Sequence, residues 1–311
     1  MNRILNVVKS YGIYFALLML VVVFSFASEW FFTVDNLMDI LVQSSLIAIA
    51  AVGQTFVILT GGIDLSVGSI VAFSSICTGM MLVSGVPIPL VIVLGSLTGV
   101  AFGLVNGVLI SYGKIPAFIV TLGAMSIARG GALALNSGRP ISGFPPGFEK
   151  IASYSIGGIP VFVFYTLIVY VIGLIVMYKL KAGRYLFAIG GNKQATRLAG
   201  INVRKYETFA YVVAGLLSGL VGVLLTARLN YATPLSGGGY ELDTIAAAVI
   251  GGTSLSGGEG GLIGTLVGAL LLGTLKDGLT LLNVVSYYQE IIIGSVIIGA
   301  VFYERAKKSS E

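Results

Sequence analysis

Apolar residues run along this chain in long blocks separated by short polar or glycine-rich stretches. The blocks fall at about 12–28, 41–60, 66–84, 88–111, 116–135, 161–178, 208–227, 242–254, 260–280 and 285–303. A helix crosses the hydrocarbon core of a bilayer with about 20 apolar residues, so the pattern predicts about ten helices threading one membrane. The block at 242–254 is the shortest, and either crosses or re-enters. Continuous runs of this kind lack the alternation of a transmembrane barrel strand, and helices satisfy their own backbone in lipid. The expected fold is all-α, a polytopic bundle forming one transmembrane domain over residues 1–311.

Within the blocks, small residues recur at four-residue spacing. Gly95, Gly99, Gly103 and Gly107 share one helix face, as do Gly260, Gly264 and Gly268, and Gly215 with Gly219. Such faces let helix backbones approach closely in lipid, where apolar burial supplies no attraction between helices. They predict tight packing and say nothing about activity.

Two interruptions share a pattern. Gly61-Gly62-Ile63-Asp64-Leu65-Ser66-Val67-Gly68 breaks the run between the second and third blocks, and its GGxxLSxG spacing recurs over Gly251–Gly258. An internal duplication with paired discontinuous helices, as in many transporters, is one reading, of either orientation. Ordinary glycine turns at the membrane surface are the other. Asp64 is best placed as an interfacial cap on a helix beginning at Ser66, because a carboxylate at mid-membrane costs about 2.5–3.5 kcal/mol. Gln54, Asn106 and Thr121 lie inside spans; with Asp64 and Ser66 they are the candidates for a polar path or gate, or else bond across helices.

Composition narrows the function. Apolar residues make up 56% of the chain and charged residues 10%, against the roughly 25% charge of a soluble domain. Histidine is absent and Cys77 is the single cysteine, which excludes a disulfide within the chain and leaves no ordinary zinc site. No metal and no cofactor are expected, and no paired-carboxylate or Ser–His arrangement points to an enzyme. The pI of about 9.2 does not imply nucleic acid, because the basic residues sort by membrane side. With a cytoplasmic N-terminus and an uncleaved first helix, ten spans return the C-terminus to the cytoplasm. Arg3, Lys9, Lys114, Lys179, Lys181, Arg184, Lys193, Arg197, Arg204, Lys205, Arg305, Lys307 and Lys308 then lie inside, leaving Arg129, Arg139, Lys150, Arg228 and Lys276 towards the outside. The two longest connections are an external loop at 136–160, either an irregular cap or a docking surface, and a basic cytoplasmic loop at 179–207.

That cytoplasmic loop carries the most specific local signal. Asn192 is placed as N-cap of a short helix from Lys193 to Ala199, with Gly200 as the left-handed residue that ends it. Ala195, Leu198 and Ala199 share one face, and Lys193 and Arg197 another. Such a helix suits a groove on a cytoplasmic partner, or else rests on the lipid headgroups.

Four stretches together carry a resemblance: GIDLSVGS (62–69), GRYLFAIGGNKQATRLAGINV (183–203), GYELDTIAAAVIGGTSLSGGEG (239–260) and SYYQ (286–289). They resemble the permease subunits of bacterial ABC sugar importers of the ribose, xylose and galactose branch, most of all its ribose members, over nearly the whole chain. The resemblance implies a multi-pass protein of the bacterial cytoplasmic membrane that pairs with a second permease, with two cytoplasmic ATP-binding domains and with an external sugar-binding protein. It also implies that Gly191, Asn192, Ala195, Arg197, Leu198 and Gly200 form a coupling helix that docks on the ATPase. Lys193-Gln194 departs from the family's frequent acidic residue at that place. The chain has no phosphate-binding loop of the GxxxxGK[ST] kind, so ATP is used by the partner. The rival is an ion-coupled secondary sugar transporter, for which Asp64 and Asp243 are the available carboxylates.

Overall fold

The computed structural model describes residues 2–308. The side chains of residues 2–11, 297, 300, 301 and 303–308 lie outside that description, and with them Arg3, Lys9, Arg305, Lys307 and Lys308 of the charge count. The helices are α1 (Asn2–Ala27), α2 (Val34–Leu59), α3 (Val67–Val83), α4 (Ile88–Ser111), α5 (Ala117–Leu135), α6 (Lys150–Ser153), α7 (Val161–Leu174), α8 (Lys181–Gly191), α9 (Lys193–Leu198), α10 (Val203–Leu229), α11 (Tyr240–Ile250), α12 (Leu262–Leu281) and α13 (Ser286–Lys308). A π turn, Ile175–Lys179, extends α7, and a hairpin of β1 (Ser155–Ile156) and β2 (Ile159–Pro160) lies between α6 and α7.

Among the described residues, six helices are long and apolar enough to cross a membrane: α2, α4, α5, α7 with its π turn, α10 and α12. Shorter apolar stretches are Gly12–Ala27 and Val67–Val83. The block at 242–254 resolves into α11, whose 11 residues rise about 16 Å, half of a hydrocarbon core. It is not a full helical span, because the chain before it, from Asn230 to Gly239, is non-helical.

The glycine faces pack as their spacing predicts, except that Gly260 precedes α12 in the loop, with φ +149°, and so is not on a helix face. On α4, Gly99 lies against Gly215 and Gly219, Gly103 against the backbone of Tyr211, and Gly107 against Thr208, all on α10. These two helices form the most extensive contact in the molecule. On α12, Gly264 meets Gly251 and Gly268 meets Ala247 of α11. At each place a single Cβ would strike the neighbouring backbone, so glycine sets the interhelical distance.

Helix α2 is the buried centre: from Ser44 to Leu59 every residue is buried. Its end packs beside the end of α11, where Ile58, Ala248 and Val249 form one cluster. Both helices therefore end side by side, each leading into its own glycine turn. The connection 136–160 is anchored on the bundle rather than free: Phe148 is fully buried against Leu82, Val91, Val223 and Ala227, and Ile141 pairs with Ala232.

Candidate coupling and translocation site

The segment 179–207 is largely helical. Asn192 caps α9 as its chemistry requires, its Oδ1 accepting from Ala195 N at 2.9 Å, and Gly200 has φ +80°. Thr196 is the one buried residue of α9; its hydroxyl donates to Ala188 O at 2.8 Å and so lays α9 against α8. Gly191, Asn192, Ala195, Arg197, Leu198 and Gly200 are all exposed, and Leu198 is 88% exposed. Its apolar side chain faces outward from a helix whose underside is already fixed. Lys193 is not a free surface charge, because its Nζ sits 2.5 Å from Oε1 of buried Glu207 on α10. The departure seen at Lys193 thus has an internal partner.

Behind α9, three glycine pairs converge. Leu59 O, at the end of α2, accepts from Gly258 N at 3.0 Å. A Cβ on Gly190 would strike Leu59 O and Gly258 N, one on Gly257 would lie 2.8 Å from Gly61 N, and one on Gly258 would lie 2.7 Å from Gly191 N. The two repeated turns and the end of α8 therefore touch backbone to backbone. Beside them opens a cleft of about 840 Å³, bounded by Gly61, Lys114, Arg197, Arg204, Glu207 and Tyr211 among others.

The five residues expected on a path or gate meet at one place. From Gly62 the chain runs non-helically back into the bundle until α3 starts at Val67. Asp64 is fully buried, which corrects its placement as an interfacial cap. Its Oδ1 does accept from Ser66 N at 2.8 Å and from Ser66 Oγ at 2.5 Å, while Oδ2 has no hydrogen-bond partner. Asn106 Nδ2 donates to Ser66 Oγ at 3.0 Å, and Thr121 Oγ1 donates to Ile63 O at 3.3 Å. Gln54, with its amide oriented to suit both groups, donates to Asp64 O at 3.2 Å and accepts from Asp64 N at 3.3 Å. Side chains from α2 and α5 thus satisfy a backbone that has left the helix inside the bundle, where an unpaired group is costly, and Asn106 of α4 holds the Ser66 side chain.

A second set was not anticipated as a site. Arg129 and Lys276, sorted towards the outside of the membrane by charge, lie within α5 and α12. Arg129 Nη1 donates to Pro234 O at 2.6 Å and Ser236 O at 3.0 Å, holding the non-helical stretch before α11. Lys276 Nζ pairs with Oδ2 of buried Asp243 at 2.5 Å. Each side chain was tied to an interior partner because an unpaired charge inside the bundle costs far more than one at its surface. The signal was available: a lone Lys within the apolar run 260–280, and a lone Arg within 116–135. Among the described residues no group of His, Cys, Asp and Glu could hold a metal ion.

These features define a multi-pass membrane protein with interrupted helices around buried polar ties and an exposed capped helix at one end. The family of permease components of branched-chain amino acid transport systems matches residues 36–301. The chain belongs to this permease family. It is 45% identical to the ribose import permease protein of Haemophilus influenzae, over 93% of this chain and 90% of the relative. It is 39% identical to the D-allose transport system permease protein of Escherichia coli K12, over 95% and 91%, and 35% identical to the L-arabinose ABC transporter permease protein of Azospirillum brasilense, over 96% and 88%. No solved structure matches it. The chain is therefore a permease subunit of an ABC importer, a transport component rather than an enzyme, and the ion-coupled carrier reading gives way. Asp243, one of the two carboxylates that reading needed, is already neutralised by Lys276.

Proposed function

We propose that the chain forms the translocation path for a monosaccharide, ribose or a related pentose, in the bacterial cytoplasmic membrane. It crosses the membrane ten times with both termini cytoplasmic, the stretch 230–239 and α11 together making one broken crossing. It works beside a second copy or a homologue, with two ATP-binding domains on the cytoplasmic face and a sugar-binding protein outside. Ribose is favoured by the named specificity of the relatives at 45% identity.

The observation that carries the reading is α9. A short capped helix, fixed underneath by Thr196 and presenting Ala195, Arg197 and an 88% exposed Leu198 outward together, is a rigid projection suited to a groove on a protein partner. Ala195, Arg197 and Leu198 dock on the ATPase, and Asn192 and Gly200 set the two ends of the helix. Gln54, Asp64, Ser66, Asn106 and Thr121 frame the path, as a scaffold that holds the non-helical segment beside it.

Uptake of radiolabelled pentoses and hexoses by cells carrying the chain with its ATPase and binding protein tests this. The double variant Ala195→Asp, Arg197→Glu is expected to insert normally and to lose both uptake and co-purification of the ATPase. Uptake persisting in the absence of any ATPase would overturn the assignment.

A further inference from the structure

We propose that the three converging glycine pairs form a rigid backbone joint that carries the coupling stroke directly to both interrupted segments, with Gly190 and Gly258 as its positioning residues. The inference rests on the importer reading above and goes beyond it, since it identifies where motion enters the bundle.

The joint separates the exposed helix from the two interruptions. On one side α8 ends at Gly190-Gly191 and Asn192 begins the exposed helix. On the other, Leu59 closes α2 and leads into the buried non-helical segment at Asp64, while Gly257-Gly258 lies in the loop between α11 and α12. No side chain separates these three pieces. Gly258 N donates to Leu59 O at 3.0 Å, and a Cβ on Gly190 would collide with both atoms of that hydrogen bond. Side chains that intervene between two elements can change rotamer and absorb a displacement; backbone in van der Waals contact cannot. A push on α9, which Thr196 fixes to α8, therefore reaches Leu59 and Gly258 together. Lys193 and Glu207 tie the same helix to the start of α10. One rigid element touching two breaks in the bundle is a physical route for coupling.

Gly190 is the cleaner position to alter, because it lies in α8 without the left-handed φ of +76° that makes Gly258 intolerant of any side chain. The complete transporter, with permease, ATPase and binding protein, is reconstituted in proteoliposomes, and sugar uptake and ATP hydrolysis are measured together. Gly190→Ala is expected to assemble with the ATPase at normal stoichiometry and to keep basal ATP hydrolysis. Sugar transported per ATP hydrolysed, and the stimulation of hydrolysis by loaded binding protein, should fall at least about tenfold, the size of a 1.4 kcal/mol loss of coupling. Gly12→Ala, where a Cβ meets nothing within 4 Å, controls for adding a methyl to a helix. An unchanged transport ratio in Gly190→Ala overturns the joint.

Hydrogen exchange on the unmodified complex gives a second measurement that no folding defect can spoil. The amide of Gly258 should stay protected both without nucleotide and with the ATPase dimer locked closed, since the joint moves as one body. Strong exchange at Gly258 in either state overturns the proposal. A wild-type complex without ATP-dependent uptake would instead count against the importer reading itself, and so the two failures are distinct.

Discussion

At the first interruption the chain leaves α2, runs inward past a fully buried Asp64 and is held by Gln54, Asn106 and Thr121 from three helices. At the second, with the same glycine and serine spacing, the loop is held mostly by its own backbone, with one bond outward from Gly258 N to Leu59 O. Thr253 N donates to Ala248 O, Ser254 N to Glu259 O, and Gly257 N to Ser254 O, all within 3.0 Å. The matching serines show the contrast best, because Ser66 is fully buried in a network and Ser256 is exposed. A shared turn motif therefore specifies the turn and leaves its role to the surroundings. A backbone that re-enters the bundle needs side chains from other helices, whereas a loop at the bundle's end can satisfy itself. What the second region has instead is an ion pair beneath it, Asp243 with Lys276, securing α11 to α12.

The largest effect should come from breaking that pair. Lys276→Met leaves Asp243 buried without its partner and should cost about 3–5 kcal/mol, read as a marked fall in melting temperature of the purified chain. Adding Asp243→Asn should restore a good part of it; no recovery would mean that the pair is not the tie that holds α11. Next comes the matched serine test. Ser66→Ala strips hydrogen-bond partners from Asp64 and Asn106 and should cost about 1–3 kcal/mol, while Ser256→Ala should stay within about 0.5 kcal/mol. Equal effects in melting would erase the distinction between the two regions.

Asp64→Asn should be milder, within about 1 kcal/mol, because the amide oxygen still accepts from Ser66 and the unpartnered oxygen is replaced by an amide nitrogen. Uptake should survive it. Loss of uptake at unchanged stability would move Asp64 from the scaffold into the transport step. The smallest change is expected for Lys193→Ala, about 1 kcal/mol: it too leaves a buried carboxylate, Glu207, but the lysine side chain is 58% exposed, so water replaces it there, and the difference in melting should shrink as salt is raised.

The sequence alone determined the elements whose cause is local. Continuous apolar length marked the helices, since each must satisfy its own backbone across the membrane. Four-residue glycine spacing marked the faces of α4, α10 and α12 that pack, because it places every small residue on one side of a helix. The N-cap at Asn192 and the left-handed Gly200 were legible because capping depends on a few consecutive residues. The polar residues Gln54, Asp64, Ser66, Asn106 and Thr121 were visible as exceptions within apolar runs, though their shared purpose was not. The tertiary structure alone decided which helices became neighbours, and everything that followed from that. It took Asp64 from the interface into the core, gave Arg129 and Lys276 carbonyl and carboxylate partners, cut the eighth apolar block down to the 11 residues of α11, and brought Gly61, Gly190 and Gly258 together. Hydrogen bonds and ion pairs between residues far apart in the chain leave no periodic trace, because their energy depends on proximity that only packing creates.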